Sequence, residues 1–437
     1  MQKTVAFHTL GCKVNQAEGE SMKTLFREHN YKVVDFREPA DVVIINTCTV
    51  THLAARKSRQ AIRQARRLSP GAVIAVVGCY SQTAPEKIGA IPGVDVLLGT
   101  QRRRDIVNLV EKAARKQCLL NVVGDIKGAL EFEELPREFS DRTRAFLKIQ
   151  DGCSQYCTFC IIPYARGPLK SLLPARVMEA AMAYAKKGYK EVVLTGIHLG
   201  LYGVDLAEDI NLAQIVGAVA EVPGLERIRL GSIEPTEITP ELLQVMASNP
   251  KVCPHLHIPL QSGSGYILEK MNRPYTPLEF SQRIKHVRQM VSDIGITTDI
   301  MVGFPGESPE DFTASYKFVQ QMGFSRLHVF PYSPRRGTPA AGFMDQVPYQ
   351  TKKKRALKLD QLGRQLALNF HKKHLGLTLP VLIEHKRDGD TSLLTGYTGN
   401  YIRVVLEGDD VLQGRIVPVT ITDVGEEVCQ GEYTPKI

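Results

Sequence analysis

The sequence predicts an α/β protein with an N-terminal doubly wound parallel sheet, a central partial β/α barrel and a small C-terminal antiparallel β-barrel. Apolar strand-like runs alternate with helical stretches up to about residue 120, and the alternation resumes from 145 to 330. Short alternating strands with Gly, Asp and Asn turns then predominate. Because 437 residues exceed one ordinary hydrophobic core, we expect three domains, at residues 1–120, 139–370 and 371–437.

In the first predicted domain, three strands each end in a cysteine. The runs "KTVAFHTLGC", "ADVVIINTC" and "AVIAVVGCY" read as strands that end at or near Cys12, Cys48 and Cys79, with helical stretches between them. The carboxyl ends of parallel strands share one edge of a sheet, so the three thiols are expected to converge, which favours shared metal ligation. The alternative is that three buried thiols simply pack at strand ends.

The second predicted domain follows an acidic segment, "GALEFEELPREFS", whose weak periodicity and proline predict a linker. Six strand-like runs then alternate with helical ones: "AFLKIQ", "EVVLTG", "RIRLGS", "LHIPLQ", "TTDIMVGF" and "RLHVFPY". A β/α unit repeated to this extent predicts a complete or partial barrel. Its chemistry is expected at the carboxyl ends of the strands.

The composition is that of a soluble globular protein, with 43% apolar and 23% charged residues. The sequence has no apolar run long enough to cross a bilayer, and its first residues lack the features of an export signal. We therefore expect a cytoplasmic protein that has no membrane partner. Nine cysteines in a chain of this length do not indicate a disulfide scaffold, and clustered thiols in a reducing compartment more often bind metal or react.

The formal net charge of +9 meets the electrostatic requirement for a polyanionic partner such as nucleic acid. One predicted helix carries six basic residues that could follow phosphates: Arg56, Lys57, Arg59, Arg63, Arg66 and Arg67. An ordinary solvated basic surface is the alternative interpretation.

A second group of cysteines lies in the stretch "DGCSQYCTFCIIPYARG". Cys153, Cys157 and Cys160 follow the pattern C-x3-C-x2-C, which can wrap one iron–sulfur cubane. A structural zinc loop is the alternative, but no fourth cysteine or histidine lies where it would complete a tetrahedron. Three ligands on a four-iron cluster leave one iron open, and that position is available to a substrate or cofactor.

This triad, with Phe159 before its last cysteine, resembles the signature of radical S-adenosylmethionine enzymes. The motifs "TLGCKVNQ", "NTCTV", "VGCY", "TGIHLGLYG", "LGSIEP", "HIPLQSGS", "MNRPYT" and "DIMVGFPGE", followed by a β module, resemble the methylthiotransferase family over nearly the whole chain. The resemblance implies that Cys12, Cys48 and Cys79 hold a second four-iron cluster. It also implies a radical core and a terminal RNA-binding domain of the TRAM type.

The resemblance further implies an enzyme that inserts sulfur and a methyl group at an unactivated C–H bond. It requires two [4Fe-4S] clusters and S-adenosylmethionine, which serves as radical source and as methyl donor. The implied partners are a tRNA anticodon stem-loop and a reducing electron donor such as flavodoxin or ferredoxin, while the sulfur source stays unidentified.

The substrate is expected to follow the branch of the family. "TLGCKVNQ" is similar to the branch that acts on carbon 2 of N6-threonylcarbamoyladenosine next to the anticodon. Isopentenyladenosine in tRNA and an aspartate of a ribosomal protein are the alternatives within the family, and a non-catalytic iron–sulfur RNA-binding protein is the alternative outside it.

For cofactor contacts, the resemblance implies strand-end residues. Gly196 and Gly200 would let the backbone approach closely, and Glu234 and Gln261 would supply polar groups, although such glycines are as often purely structural. Arg166 is expected either to bind a carboxylate or phosphate or to cap the cluster loop. The turn "VGFPGE", residues 302–307, resembles the adenine side of the site, with a simple Pro-Gly turn as the alternative.

Overall fold

A computed structural model describes residues 2–116, 118–136 and 142–435. Contacts divide the chain into two compact units. The first comprises Met1–Ser140, Lys148–Leu172 and Ser333–Ala341, and the second comprises Asp141–Leu147, Leu173–Tyr332 and Gly342–Ile437. The predicted domain limits at residues 1, 139 and 437, and the end of the predicted linker, lie outside the described residues. The three-domain division stays a prediction.

As far as the structure describes it, the N-terminal part of the first unit is a six-stranded sheet with five α-helices. Its strands are β1 (Thr4–Thr9), β2 (Lys32–Val34), β3 (Val42–Thr47), β4 (Val73–Gly78), β5 (Val96–Leu97) and β6 (Leu120–Asn121). Its helices are α1 (Lys13–Glu28), α2 (His52–Leu68), α3 (Cys79–Thr83), α4 (Pro85–Gly89) and α5 (Ile106–Lys116). The strand order is β2-β1-β3-β4-β5-β6, and every pairing is parallel.

Both faces of this sheet are covered by helices. On one face Met22 and Phe26 of α1 pack with Val107 and Val110 of α5 in one apolar cluster. On the other face, residues of α2 such as Ile62 enter a second cluster. All six residues of the central strand β3 are buried, as expected for a parallel strand covered on both sides. The predicted doubly wound domain is confirmed.

The remaining elements before the terminal barrel follow in chain order. The strands are β7 (Arg144–Lys148), β8 (Gln150–Asp151), β9 (Lys170–Ser171), β10 (Glu191–Thr195), β11 (Arg227–Leu230), β12 (His255–His257), β13 (Gly295–Val302) and β14 (Arg326–Pro331). The helices are α6 (Ile162–Arg166), α7 (Pro174–Lys186), α8 (Leu212–Ala220), α9 (Pro240–Ser248), α10 (Gly265–Lys270), α11 (Pro277–Met290), α12 (Pro309–Met322) and α13 (Tyr349–Lys372).

Six of these strands form the predicted partial barrel. Two three-stranded sheets have the orders β11-β10-β7 and β12-β13-β14. Isolated parallel bridges, Ile228 with Val252 and Ser232 with His257, connect β11 to the segment of β12. The pairs β10–β11, β12–β13 and β13–β14 are parallel, so their carboxyl ends lie on one edge. Helices α7, α8, α9, α11 and α12 alternate with the strands along the chain.

The C-terminal module is a closed five-stranded barrel. Its strands are β15 (Thr378–Ile383), β16 (Leu394–Thr398), β17 (Arg403–Leu406), β18 (Ile416–Val424) and β19 (Cys429–Tyr433), in the order β15-β16-β17-β19-β18. The sequence predicts an antiparallel barrel, yet β17 and β19 pair in parallel. An odd number of strands cannot alternate in direction around a closed ring, so at least one parallel pair is required. The other four pairings are antiparallel, as predicted.

None of the helices in the described part of the chain combines the length and the apolar character that crossing a bilayer requires.

Candidate metal and cofactor sites

The first cysteine triad lies where three neighbouring strands end. Cys12 follows β1 and precedes α1, Cys48 follows β3, and Cys79 begins α3 directly after β4. Strands β1, β3 and β4 are adjacent in the sheet, so these ends meet at one edge. Gly11 has φ of 103°, and a Cβ there would stand 2.9 Å from the Cβ and 3.1 Å from the Sγ of Cys48. A side chain at position 11 would fill the space between the first two cysteines.

Asn15 joins the three loops that carry this triad. Its Nδ2 donates to the carbonyl oxygens of Leu10, at 2.8 Å, and Thr47, at 2.9 Å. Its Oδ1 lies 4.0 Å from the Sγ of Cys79. Asn15 is 1% exposed, so this one amide fixes the approach of all three strand ends. The sequence interpretation did not single out Asn15, although it lies in the quoted motif "TLGCKVNQ".

The donor set of this triad fits an iron–sulfur cluster. Burial raises the pKa of the Cys48 thiol and raises that of the Cys79 thiol to about 12, while Cys12 is exposed. Across the described ranges, no group of three or more His, Cys, Asp or Glu side chains is arranged to hold a metal ion. In a four-iron cluster the thiolates bind different irons, so they stand farther apart than the ligands of a single metal ion. The observation that supports a cluster is therefore that three soft sulfur donors converge at one edge of the sheet.

The second triad lies between β8 and β9, which pair as a short antiparallel ladder. The backbone N–H of Cys153 donates to the Gly167 carbonyl at 3.1 Å, which closes the base of the loop. The N–H of Gln155 points to the Sγ of Cys153 at 3.5 Å, a contact that also stabilises a thiolate. Gly152 has φ of 75°, and a Cβ there would lie 1.8 Å from the Pro168 carbonyl oxygen.

A buried network of charges connects the two triads. Arg166, at the end of α6, donates to the Oδ1 of Asn15 at 2.5 Å, to both oxygens of Glu18 and to both oxygens of Asp151. Lys148 pairs with Glu18 at 2.9 Å and with Asp151 at 3.2 Å. Arg103 pairs with Glu18 as well. All five charged side chains are less than 10% exposed.

The opposite charges within the network keep its buried carboxylates ionised. Burial by itself would raise the pKa of Glu18, but Arg103, Arg166 and Lys148 hold it well below its usual range. Burial would likewise raise the pKa of Asp151, but the nearby cations, Arg166 first among them, lower it below its usual value. Helix α3, which begins at the last cysteine of the first triad, packs against α6. The structure therefore favours the loop-capping interpretation of Arg166, whose contact with a cofactor stays a prediction.

A third segment of the first unit, Ser333–Ala341, touches both cysteine loops. The Oγ of Ser333 accepts from the backbone N–H of His52 at 3.0 Å. Arg335 donates through Nη2 to the Oγ1 of Thr49 at 2.7 Å, one residue after Cys48. At the other end of the segment, the N–H of Ala340 donates to the carbonyl oxygen of Thr158, between Cys157 and Cys160.

Sequence reasoning missed this segment, since "YSPRRGTPA" marks only the end of the barrel pattern. Local periodicity carries no information about a partner 286 residues away.

In the second unit, four predicted cofactor residues lie at the shared strand edge. Gly196 and Gly200 follow β10, Glu234 follows β11 and Gln261 follows β12. A Cβ on Gly200 would stand 2.2 Å from a carboxylate oxygen of Glu237, so this glycine makes room for a neighbouring acid. Glu234 is ion-paired with Arg273.

Gln261 has the features of a ligand-binding residue. It adopts φ of 64° and is 8% exposed, and its Oε1 is buried without a hydrogen-bond partner among the described residues. A buried acceptor left unpaired costs free energy, so the position suits an N–H or O–H donor of a ligand. By contrast, Glu307 accepts from the N–H of Gly303 at 2.6 Å and pairs with Arg355, which favours the simple-turn interpretation of "VGFPGE".

Three family models match successive parts of the chain. Uncharacterized protein family UPF0004 matches residues 4–99, the radical SAM superfamily matches 147–319, and the TRAM domain matches 372–433.

Curated relatives match over almost their whole length. Threonylcarbamoyladenosine tRNA methylthiotransferase MtaB of Bacillus subtilis is 45% identical over 434 residues, covering 98% of this chain and 96% of the relative. The protein of the same name from Aquifex aeolicus is 39% identical, covering 95% and 100%. A tRNA-2-methylthio-N(6)-dimethylallyladenosine synthase of Moorella thermoacetica is 36% identical, covering 99% and 98%.

Solved structures agree on the fold. The radical S-adenosylmethionine methyltransferase TsrM of Kitasatospora setae, with cobalamin and a [4Fe-4S] cluster bound, superposes with a TM-score of 0.58 at 14% identity, over 78% of this chain and 74% of that one. Full-length identity well above 30% to several methylthiotransferases is sufficient to assign the family. The chain belongs to the methylthiotransferase family of radical S-adenosylmethionine enzymes.

Proposed function

We propose that this chain inserts a methylthio group at carbon 2 of N6-threonylcarbamoyladenosine, next to the anticodon of tRNA. The observation that carries the proposal is the presence of two cysteine triads in one compact unit, with residues next to each triad joined by the Arg166–Asn15 hydrogen bond. Two open irons suit a reaction that needs both a hydrogen abstractor and a sulfur carrier. The 45% identity to the Bacillus subtilis enzyme supports the choice of substrate.

Each triad would hold one [4Fe-4S] cluster. Cys153, Cys157 and Cys160 would hold the radical cluster, and Cys12, Cys48 and Cys79 would hold the sulfur-carrying cluster. When bound, a reduced cluster with an open iron supplies the electron that cleaves S-adenosylmethionine and so starts hydrogen abstraction.

The protein groups around the triads would position and insulate these cofactors. Asn15 fixes the strand ends of the first triad, and Gly152 lets the second loop pass close to the Pro168 carbonyl. Arg166 ties the loop after the second triad to Asn15, so movement of one triad is resisted by the other. In the proposed site, the polar contacts to S-adenosylmethionine come from Gln261 and Glu234, while Gly196 and Gly200 allow close backbone approach.

The proposed macromolecular partner is the tRNA anticodon stem-loop. The TRAM match at 372–433 and the names of the relatives support it. Helix α2 supplies four exposed basic residues, Arg56, Lys57, Arg63 and Arg67, which could neutralise phosphates. Arg59 instead donates to the hydroxyl of Tyr80, and Arg66 pairs with Asp95, so these two are committed within the protein. We also propose a cytoplasmic location and a small electron-transfer protein as reductant.

Mass spectrometry of tRNA nucleosides tests the substrate. In a strain that lacks this gene but makes threonylcarbamoyladenosine, expression of the chain should produce its 2-methylthio form. A variant with Cys48→Ala should fail to do so, while anaerobic cleavage of S-adenosylmethionine persists. A variant with Cys157→Ala should lose both activities. If Cys48→Ala still methylthiolates tRNA, the sulfur-carrier role of the first triad is wrong.

A second substrate has specific support, because relatives named for dimethylallyladenosine are up to 36% identical over the full chain. The same nucleoside analysis separates the two. A 2-methylthio product on dimethylallyladenosine, with threonylcarbamoyladenosine unchanged, would transfer the proposal to that substrate. If both nucleosides are unmodified in the presence of active protein, the ribosomal-protein aspartate becomes the next substrate to assay.

A further inference from the structure

A buried arginine next to the first triad has no carboxylate partner among the described residues. Arg335 is 9% exposed, and Nη2 donates to the Oγ1 of Thr49 at 2.7 Å. Its Nε is buried and makes no hydrogen bond within the described part of the chain. Thr49 is fully buried and also accepts from Thr83 at 3.2 Å, so the hydroxyl holds the guanidinium in place beside Cys48.

The charges near Arg335 leave its burial uncompensated. Burial lowers its pKa, Tyr80 and Cys48 act in the opposite direction, and Arg59 adds a like charge. Buried arginines are normally paired with an anion, because an isolated buried charge is costly. By contrast, Arg166 and Arg103 in the same unit each have carboxylate partners. An anion that pairs with Arg335 is therefore expected in the loaded protein.

We propose that Arg335 binds the sulfur anion, hydrosulfide or methanethiolate, carried on the open iron of the cluster held by Cys12, Cys48 and Cys79. The inference rests on the proposed function. Three thiolates outweigh the charge of an oxidised four-iron core, so the loaded site is anionic, and a further sulfur anion adds to that charge. A guanidinium with an unused N–H offers both charge neutralisation and a hydrogen bond to such a ligand.

The segment Ser333–Ala341, which carries Arg335, also connects the surroundings of the two triads. Ser333–Ala341 bonds the loop of the first triad at Ser333 and Arg335 and the loop of the second triad at Ala340. Arg335 is thus a residue for sulfur binding that lies on the segment linking both cysteine loops. Its neighbour Arg336 is exposed and provides a matched control of the same residue type.

The test uses the full chain with Cys153→Ala, Cys157→Ala and Cys160→Ala, so that only the first cluster is loaded. Sodium methanethiolate is titrated into the anaerobic protein, and binding is followed by the absorption and electron paramagnetic resonance spectra of the cluster. Arg335→Gln should weaken methanethiolate binding about ten- to hundredfold, the loss expected for one charge-assisted hydrogen bond. Arg335→Lys should retain most of the affinity, and Arg336→Gln should leave it unchanged.

The midpoint potential of the same cluster gives a readout that is independent of ligand binding. Removal of a nearby positive charge destabilises the reduced, more negative state, so Arg335→Gln should lower the potential, and Arg335→Lys should not. Equal methanethiolate affinity in Arg335→Gln and Arg336→Gln would overturn the inference, even if their midpoint potentials differ. If Arg335→Gln does not load a cluster, the test uses Arg335→Lys instead. If the lysine variant also loads no cluster, the packing of Arg335, and not its charge, is what cluster loading requires.

Different results would contradict the sulfur-carrier function of the first triad and the role of Arg335. If the parent protein loads the first cluster and binds methanethiolate, but Arg335→Gln binds it equally well, only the role of Arg335 is wrong. If the loaded parent protein binds no methanethiolate, the sulfur-carrier function and the role of Arg335 are both wrong.

Discussion

Replacement of Glu18 by glutamine should destabilise the first unit strongly. Glu18 is 1% exposed and pairs with Arg103, Lys148 and Arg166, the last two at 2.9 and 2.6 Å. Glutamine keeps the size but removes the charge, and its amide N–H groups would face guanidinium N–H groups. Loss of one partner from a buried ion network costs about 3–5 kcal/mol, because the remaining charges stay desolvated. The free energy of opening of α1 and α6 should fall by that amount.

Hydrogen–deuterium exchange of the full chain, analysed by peptide, measures this opening free energy segment by segment. Glu20→Gln is the matched control on the same helix. Its pairing with Lys23 is an i,i+3 contact of partly exposed side chains, so it should change the opening free energy by less than about 1 kcal/mol. A loss below about 1 kcal/mol in Glu18→Gln as well would refute the claim that the buried network holds the two cysteine loops together.

The pH dependence follows from the lowered pKa of Glu18. A carboxyl whose folded-state pKa lies below its ordinary value of 4.5 contributes stability that is fully present above that pH. The contribution is lost as pH falls from there toward the folded-state pKa. The difference in opening free energy between wild type and Glu18→Gln should therefore be constant above about pH 4.5 and shrink below it. A difference that grows on acidification would contradict the assigned ion pairs.

Three further changes test other parts of the structure. Gly152→Ala should abolish loading of the radical cluster, since its Cβ would lie 1.8 Å from the Pro168 carbonyl oxygen; a full iron content of that loop would contradict this reading. Asparagine at position 261 tolerates the positive φ, but its side chain is one methylene shorter and holds the amide farther back. Gln261→Asn should therefore weaken equilibrium binding of S-adenosylmethionine about tenfold. Unchanged affinity would show that Gln261 is not part of the site. Arg229→Met removes the nearest cationic partner of the buried Glu191 carboxylate, at 2.7 Å, and leaves Arg227 at 3.8 Å. The change should cost about 3 kcal/mol, seen as faster proteolysis of the terminal barrel, whereas wild-type cleavage rates would argue against the pair.

The sequence was sufficient for the features that depend on local pattern. Strands β1, β3 and β4 are short apolar runs, and each is followed closely by its cysteine, so parallel-sheet topology alone brings Cys12, Cys48 and Cys79 to one edge. The spacing of the second triad likewise needs no tertiary information. The parallel β17–β19 pair was not predicted, because it follows from closure of an odd-stranded ring and not from the alternation of any one strand.

The partners of buried charges were beyond sequence reasoning. Arg166 reaches Glu18 across 148 residues and Arg335 reaches Thr49 across 286. An arginine in "YARG" or "SPRRG" has the same local appearance whether it meets solvent, a phosphate or a buried carboxylate. Only the folded arrangement shows that Arg166 is neutralised by two carboxylates, while no carboxylate in the described part of the chain pairs with Arg335.

The way in which the first unit is assembled from three separate stretches of chain has a consequence for biogenesis. Met1–Ser140 and Lys148–Leu172 carry the six cysteines of the two triads, but Ser333–Ala341 leaves the ribosome much later. At about 5–20 residues per second, the delay is on the order of ten to thirty seconds. During that interval the nascent first unit lacks the hydrogen bonds that this segment makes to His52, Thr49 and Thr158. The first unit can therefore be completed only after residues 173–332 of the second unit have been synthesised.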